Sequence, residues 1–300
     1  MRFGIKTVPM QCGYDELLDV WEEADGVGVI EDAWLWDHLL PLAGPVGGPV
    51  FEGWTLLAAL AARTTRLRLG LLVTSNRIRP PAVLAKIAAT VDVISNGRLV
   101  VGLGVGGTYQ PSGAGGIAGP NPAIAEYAAY GLELVPPAEG IARLDEACRM
   151  LRRLWTEEVV DFDGKYYQLE HAYCAPKPVQ QPGPPLLLGG WGPKTLRVVA
   201  QHADSWNIPG PPHNDISTIA ERSKILDDHC RAIGRDPAEI TRSVQTHAFT
   251  DDPHRTRSTV LELHDIGVDN VVLNLMKPFR KGLATWAAAQ IIDPVNAQLN

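Results

Sequence analysis

The sequence lacks long apolar runs, an excess of basic residues and closely spaced cysteines. No stretch approaches the ~20 apolar residues that cross a bilayer, which predicts no membrane-spanning segment. A formal net charge of −7 argues against a nucleic-acid-binding protein, because phosphate contacts need a basic face. The four cysteines have neither metal-type nor Cys-x-x-Cys spacing, which indicates reduced thiols and predicts no metal site.

The start of the chain lacks the features of a secretion signal. Met1–Gln11 carries one Arg and one Lys around a short β-like run. It has no apolar core and no small-residue cleavage site. Together with the reduced cysteines, this predicts a cytoplasmic protein.

The strongest pattern in the sequence is an alternation of β-like runs with amphipathic helical stretches, which is typical of a parallel sheet with crossover helices. The predicted strands are Arg2–Thr7, Ala33–Trp36, Leu67–Thr74, Leu99–Leu103, Pro185–Leu188, Asp204–Ile208, Ile240–Phe249 and Asn270–Leu275. The predicted helices are Tyr14–Asp25, Gly53–Ala62, Pro81–Ile94, Glu139–Trp155, Pro193–His202, Ile216–Ile233, Pro253–Ile266 and Leu283–Leu299. This alternation predicts one (β/α)8 TIM barrel domain over residues 1–300 rather than an open sheet.

Two segments interrupt the alternation and are interpreted as insertions in the barrel. Val105–Pro137 is rich in Gly, Pro and Ala and follows the fourth strand, so we expect it at the C-terminal face of the strands. Thr156–Gln181 contains an Asp-Gly turn at Asp163-Gly164 between two β-like runs, which predicts a hairpin.

Glycines follow two of the predicted strands. Gly102–Gly107 matches GxGxxG in form, but the residues after it do not open a helix, which argues against a dinucleotide fingerprint. These glycines permit either a close approach of the backbone to a flat ligand or a flexible loop. Gly189 and Gly190 lie between an apolar strand and Pro193, a favourable first residue of a helix. Their N–H groups are predicted to point into the barrel mouth and bind phosphate, and the alternative interpretation is a tight turn between strand and helix.

Asp37 and His38 end the second predicted strand, where side chains face the barrel mouth. A His there can exchange a proton with a substrate or bind a cofactor ring. We expect the neighbouring Asp37 to help fix its tautomer. The alternative interpretation is a buried imidazole with its hydrogen bonds satisfied.

These and other motifs resemble, in order, those of the luciferase-like flavin and deazaflavin oxidoreductases. The resemblance covers essentially the whole chain and is nearest to actinobacterial members that use coenzyme F420. The motifs that carry it are Trp36-Asp37-His38, Leu69–Asn76, Arg79–Lys86, Asp92–Gly104, Glu126-Tyr127, Tyr130-Gly131, Phe162–Gly164, Pro176–Gln180 and Ala203–Asn207.

The resemblance implies an F420 site at the barrel mouth, with FMN as the alternative cofactor. Family members stack the ring on a bulge after strand three, often with a non-prolyl cis peptide, which maps here to Leu72–Val73. The implied acidic tail of F420 could meet Arg77, Arg79 or Lys194. His38 is the implied catalytic residue, and the implied cofactor-binding residues are Asp37, Leu72, Val73, Thr74, Gly104, Gly106, Gly189, Gly190 and Trp191.

Several positions depart from the deazaflavin-dependent dehydrogenases of this family. The Trp and Glu that accompany the strand-two His are replaced by Leu42 and Gly107, and a Glu after strand one by Met10. The phosphate-gripping Lys after strand six is replaced by proline within Ile208–Pro212. These departures argue against oxidation of sugar phosphates and secondary alcohols, and they leave His38 as the only matched acid/base position.

The sequence therefore predicts an F420-dependent oxidoreductase, most consistent with a reductase of activated C=C or C=N bonds in a small molecule. One alternative is an FMN-dependent monooxygenase. Another is a barrel that carries the cofactor without turnover. We also expect a homodimer, with Trp54, Leu56, Leu57 and Leu60 either packed on the barrel or placed in the interface.

Overall fold

A closed parallel barrel forms the centre of the computed structural model, which describes residues 1–107, 122–208 and 215–299. The strands described are β1 (Arg2–Lys6), β2 (Asp32–Leu35), β3 (Arg68–Leu71), β4 (Thr74–Ser75), β5 (Leu99–Gly104), β6 (Val160–Asp163), β7 (Gln168–Ala172), β8 (Leu186–Gly189), β9 (Ser205–Ile208), β10 (Thr241–Ala248) and β11 (Asn270–Leu275). The helices described are α1 (Tyr14–Gly26), α2 (Gly53–Arg63), α3 (Pro81–Ile94), α4 (Pro122–Ala129), α5 (Pro137–Thr156), α6 (Pro193–His202), α7 (Ile216–Ala232), α8 (Pro253–Asp265), α9 (Leu283–Ala287) and α10 (Asp293–Leu299).

Parallel pairing runs around the whole barrel. β1 pairs with β2 and β11, and the sheet continues through β10, β9 and β8 to β5. β3 pairs with both β2 and β5, which closes the ring, while β4 continues the third barrel strand and also pairs with β5. The (β/α)8 barrel is confirmed, and an open sheet is excluded.

Side chains alternate between the two faces of each strand, which separates two apolar layers. Phe3 and Ile5 of β1 point outward into the layer between the barrel and its helices. The barrel interior holds a smaller apolar cluster of Trp34, Leu72, Val100, Leu187 and Val272.

Helix α2 belongs to the outer apolar layer. Its side chains Trp54, Leu56, Leu57 and Leu60 are all buried within one chain, as the core interpretation predicts. They are therefore unavailable to a partner subunit. The predicted homodimer stays a prediction, and its interface does not use these side chains.

Both insertions depart from the βα rhythm as expected. β6 and β7 form the antiparallel hairpin predicted around Gly164. The Val105–Pro137 insertion contains α4, which the sequence did not predict because its Ala-rich residues lack an amphipathic pattern. Its residues 108–121 lie outside the described part of the chain.

Most predicted helices and strands differ from the observed ones by a few residues at either end, and two of them are divided. The third predicted strand, Leu67–Thr74, is broken into β3 and β4 at Leu72 and Val73. Residues Leu283–Leu299 form α9, a π-helical turn at Ala288–Ile292 and α10 rather than one regular helix. Within the described ranges, no helix has the length and apolar character needed to cross a membrane.

Candidate active site

The bulge after β3 brings three of the predicted cofactor-binding positions together. The Leu72–Val73 peptide bond is cis, at the position that the family resemblance implied. A Cβ added to Gly104 would lie 2.8 Å from Cγ2 of Val73, and one added to Gly189 would lie 3.1 Å from Cγ1 of Val73. Val73, Gly104 and Gly189 therefore form one surface, the glycine floor, at the carboxyl ends of the third, fourth and fifth barrel strands.

The other glycines after β5 serve the packing of the protein itself. A Cβ at Gly102 would lie 1.9 Å from the Leu71 carbonyl oxygen, so glycine lets β5 approach β3 closely. Gly106 has φ +83°, and its Cβ would meet the Ser75 and Tyr127 hydroxyls. Gly106 was predicted to bind cofactor, but its open face is filled by these protein groups.

The loop after β8 lies at the catalytic face, because β8 ends there and α6 begins at Pro193. The N–H of Gly190 donates to the carbonyl oxygen of Asn207 (3.3 Å), and its carbonyl accepts from Trp206 Nε1 (2.6 Å). The prediction that this N–H is free to bind phosphate is therefore wrong. Trp191 lies half-buried in the same loop, and Gly192 caps α6 without a side-chain hydrogen bond.

His38 lies at the barrel mouth above Trp36. Their rings meet edge to face with centroids 5.0 Å apart, and Trp36 belongs to the inward-facing series of Asp32 and Trp34 on the second strand. The His38 side chain is 31% exposed, so part of the ring is open to solvent. The position of His38 agrees with the predicted catalytic role.

The carboxylate that contacts His38 comes from Glu126 on α4. His38 Nδ1 lies 3.2 Å from Glu126 Oε2, and Glu126 Oε1 also accepts from the N–H groups of Leu39 and Leu40. Burial alone would raise the pKa of Glu126, but these hydrogen bonds and the His38 charge bring that pKa below its ordinary value. A carboxylate at Nδ1 holds the proton there and leaves Nε2 to exchange a proton with a ligand.

Helix α4 is fixed over the barrel mouth by the residue after Glu126 as well. The Tyr127 hydroxyl lies 2.5 Å from Ser75 Oγ of β4 and accepts from the N–H of Gly107 (2.7 Å). A Cβ at Gly107 would lie 2.7 Å from the Tyr127 ring. Gly107 stands where the resemblance implied a glutamate in the deazaflavin-dependent dehydrogenases, and here the Tyr127 ring packs against it. The carboxylate beside His38 is supplied by Glu126 of α4.

Asp37 does not have the tautomer-fixing role that the sequence suggested. Arg79 donates to both of its oxygens, at 2.6 and 3.0 Å, and also contacts Glu52. The Asp37 side chain has no exposed area, and burial raises its pKa against the opposing effect of Arg79. Asp37 is thus a buried ion-pair partner of Arg79, and the carboxylate at His38 Nδ1 is that of Glu126. The cofactor-binding role of Asp37 stays a prediction.

Of the three cations predicted to meet an acidic cofactor tail, Arg79 and Arg77 already contact acceptor groups of the protein. Arg79 is 12% exposed and is held by Asp37 and Glu52. Arg77 is 8% exposed and donates to the Glu133 carbonyl. Lys194, in the first turn of α6, is exposed.

Three of the positions that depart from the family pattern are Leu42, Met10 and the proline after strand six. Leu42 and Met10 lie on loops after β2 and β1, and Pro209 falls outside the described residues.

Thr74 also turns away from the mouth. Its hydroxyl accepts from Trp54 Nε1 at 2.9 Å, and the side chain is fully buried between the barrel and α2. The cofactor-binding role of Thr74 stays a prediction, and the contact that the structure shows for its side chain is the hydrogen bond to Trp54.

Thr74→Val is expected to lower the free energy of unfolding by about 1–3 kcal/mol, because the buried Trp54 Nε1 loses its acceptor. Cofactor affinity should be unchanged. Denaturant unfolding and a cofactor titration measure the two effects, with the exposed Thr90→Val as the matched control. A loss of cofactor affinity at unchanged stability would return Thr74 to the binding site.

A polar group on the far side of the barrel was not predicted. Lys6 Nζ donates to Gln245 Oε1 (2.7 Å), and Gln245 Nε2 donates to Asn207 Oδ1 (2.8 Å). His247 and Asn274 lie in register with Lys6 on the neighbouring strands. Lys6, His247 and Asn274 are named the polar wall below.

The family of the chain follows from its sequence. The family model of luciferase-like monooxygenases matches residues 1–285. The chain belongs to this family, which is a family of oxidoreductases with F420-dependent members.

Individual relatives share about a third of their aligned residues with this chain. An F420-dependent glucose-6-phosphate dehydrogenase from Amycolatopsis mediterranei is 34% identical over 208 residues, 69% of this chain and 56% of that protein. An uncharacterized protein from Mycobacterium tuberculosis is 32% identical over 236 residues, 79% of this chain and 72% of that protein.

Solved structures agree in fold. An F420-dependent secondary alcohol dehydrogenase, in complex with an F420–acetone adduct, superimposes with a TM-score of 0.81 over 98% of both chains. The two sequences are 17% identical, so this likeness establishes the shared barrel.

Proposed function

We propose that this chain is an F420-dependent oxidoreductase that reduces a polarised double bond in a small organic substrate. The observation that carries the proposal is the glycine floor. Val73 lies against two strand-end positions where any side chain would displace it, which provides a flat surface for a planar ring. Two relatives are named F420-dependent glucose-6-phosphate dehydrogenases, which supports F420 as the cofactor that carries this ring.

The residues at the mouth fit the cofactor in two further respects. Lys194 and the open first turn of α6 provide positive charge beside the glycine floor, where a phosphate and an acidic tail can bind. Interior side chains near the floor, such as Leu72 and Leu187, are apolar and exclude water from the buried edge of a ring. When bound, the deazaflavin supplies or accepts a hydride.

Proton transfer is assigned to His38. Glu126 holds the proton on Nδ1, so Nε2 is the nitrogen that donates to, or accepts from, the substrate. The sequence suggested few acid/base groups at the barrel mouth, and Glu126 adds one beside His38. Reduction of a C=O bond, which needs a proton donor, is therefore proposed along with reduction of C=C and C=N bonds. The buried Glu126 acts through His38 and is a positioning residue.

An FMN-dependent monooxygenase is the second candidate, because the matching family model describes monooxygenases. The glycine floor would accept either ring. Lys194 favours F420, since the acidic tail of F420 adds negative charge beyond the phosphate that both cofactors carry.

Titration of the apo-protein with F420 and, separately, with FMN distinguishes the candidates. We expect saturable quenching of F420 fluorescence and at least about tenfold weaker binding of FMN, a difference of about 1.4 kcal/mol. Lys194→Met should weaken F420 binding more than FMN binding, because F420 loses a counter-charge for its acidic tail as well as for its phosphate. The exposed Lys281→Met is the control. Tighter binding of FMN would favour the monooxygenase.

The predicted homodimer and cytoplasmic location belong to the same proposal. A dimer would be seen directly as a doubled mass in solution. A monomeric mass would overturn it without affecting the barrel-mouth chemistry.

A further inference from the structure

The polar wall lies across the barrel from the glycine floor. β5, which ends at Gly104, and β11, which carries Asn274, are separated by three strands in either direction around the ring. Both residues lie at the carboxyl ends of their strands. A substrate resting on a ring above the floor would therefore have the polar wall on its other side.

The three wall residues form one row. Lys6 pairs in register with Asn274, and Asn274 pairs with His247. Gly4, two residues before Lys6, faces the Asp32 carboxylate inside the barrel, so Lys6 points inward as well. All three side chains are half-buried rather than sealed, so they line a space that solvent reaches.

Lys6 is a cation without an anionic partner among the residues that the structure describes. Its amine donates to the Gln245 amide oxygen and, within the described ranges, lies within ion-pair distance of no carboxylate. Burial lowers the pKa of Lys6 to about 8. Burial, followed by the charges of Lys6 and Arg255, also lowers the pKa of His247. Both shifts disfavour the charged forms, and an anion bound beside Lys6 would oppose them by stabilising its ammonium group.

Hydrogen-bonding capacity in the wall is not used up within the protein. In the described part of the chain, His247 Nδ1 and Asn274 Oδ1 are buried atoms without a hydrogen-bond partner. A half-turn of the Asn274 amide exchanges its oxygen for the Nδ2 donor. Lys6 has three donor protons, and Gln245 accepts one. The amides behind it hold one another, since Gln245 contacts Asn207 and Asn207 Nδ2 donates to Ser243 Oγ at 2.9 Å. The hydrogen bond to Gln245 thus holds Lys6 in place and leaves two of its N–H donors for a ligand.

We propose that Lys6, His247 and Asn274 form a substrate subsite that binds a carboxylate. The subsite rests on the proposed function, because it places the carboxylate end of the substrate opposite the ring. Lys6 supplies the charge and two N–H donors. Because a carboxylate only accepts hydrogen bonds, His247 contributes a ring N–H and Asn274 its Nδ2 amide as the further donors. The substrate class that follows is a small unsaturated or oxo carboxylic acid.

Benzoate and benzamide, which have the same shape and differ in charge, are the probes for this subsite. Calorimetric titration of the apo-protein should give saturable benzoate binding at least about tenfold tighter than benzamide binding. Lys6→Met should reduce benzoate affinity to the level of benzamide, because it keeps the length of the side chain and removes the charge. Lys281 is exposed and pairs with Asp19, so Lys281→Met should behave as wild type.

Equal binding of the two probes to wild type, or unchanged benzoate affinity in Lys6→Met, would overturn the subsite. The wild-type comparison does not depend on how the variant folds, and circular dichroism checks the fold of Lys6→Met. Since no cofactor is needed, the result is independent of the cofactor assignment. Intact F420 binding without benzoate binding would refute the subsite alone, and the converse would refute only the assignment of F420.

Discussion

His38→Ala is expected to lower kcat by ~10²–10⁴-fold while the Kd for F420 stays nearly unchanged. General acid–base assistance contributes a factor of this size. His38 lies at the mouth with Nδ1 on Glu126 and part of the ring exposed, so Nε2 is placed to reach a substrate. Cofactor affinity should persist because the glycine floor is separate from this residue. Steady-state kinetics with an accepted substrate and a fluorescence titration measure the two effects.

Glu126→Gln tests whether the carboxylate acts through His38. The amide oxygen can still accept from the N–H groups of Leu39 and Leu40, so the fold should be retained. We expect kcat to fall by ~10–100-fold at unchanged KM, with a shift of the His38 tautomer in ring-nitrogen NMR. Glu133→Gln, on the same insertion but with an exposed side chain, is the control. Full activity in His38→Ala would make the pair structural and move the proton source to solvent.

Gly104→Val is expected to weaken F420 binding by about 5–150-fold. The new Cβ would lie 2.8 Å from Cγ2 of Val73, and the two methyl groups would displace the Val73 side chain. Overpacking of this kind typically costs 1–3 kcal/mol, which is about a 5–150-fold change in an equilibrium. Gly189→Ala, with a Cβ 3.1 Å from Val73, should have a smaller effect.

The matched control for the glycine floor is Gly28→Ala. A Cβ at Gly28 meets nothing within 4 Å and φ is not positive there, so the alanine variant should bind F420 as wild type does. Melting temperatures of all three variants separate a loss of the floor from a loss of the fold. Wild-type affinity in a folded Gly104→Val would show that the ring does not rest on this surface.

The barrel could be predicted because its units repeat a strong local pattern. The bounds of α3 and β11 agree with the predicted Pro81–Ile94 and Asn270–Leu275, since proline starts the helix and the β-branched and apolar run Val271–Leu273 marks the strand. The position of the cis bond at Leu72–Val73 came from the family resemblance and not from residue patterns.

The partners of the charged residues could not be predicted. Glu126 lies 88 residues from His38, in an insertion without periodicity, so no local signal joined them. Asp37 directly precedes His38, but successive residues point to opposite sides of an extended chain. That alternation turns Asp37 toward Arg79. For Lys6, the inward side of β1 could have been recognised from Gly4, but its isolation from carboxylates depends on the other strands.

The most direct test of hydride transfer at this barrel mouth follows the hydride itself. Reduced F420 carrying deuterium at C5 is mixed anaerobically with the protein and a panel of unsaturated and oxo carboxylic acids, and the products are examined by mass spectrometry. The account predicts one deuterium on a carbon of the product, with F420 oxidised in equal amount and no requirement for oxygen. Turnover that depends on oxygen, or deuterium recovered only in water, would contradict it.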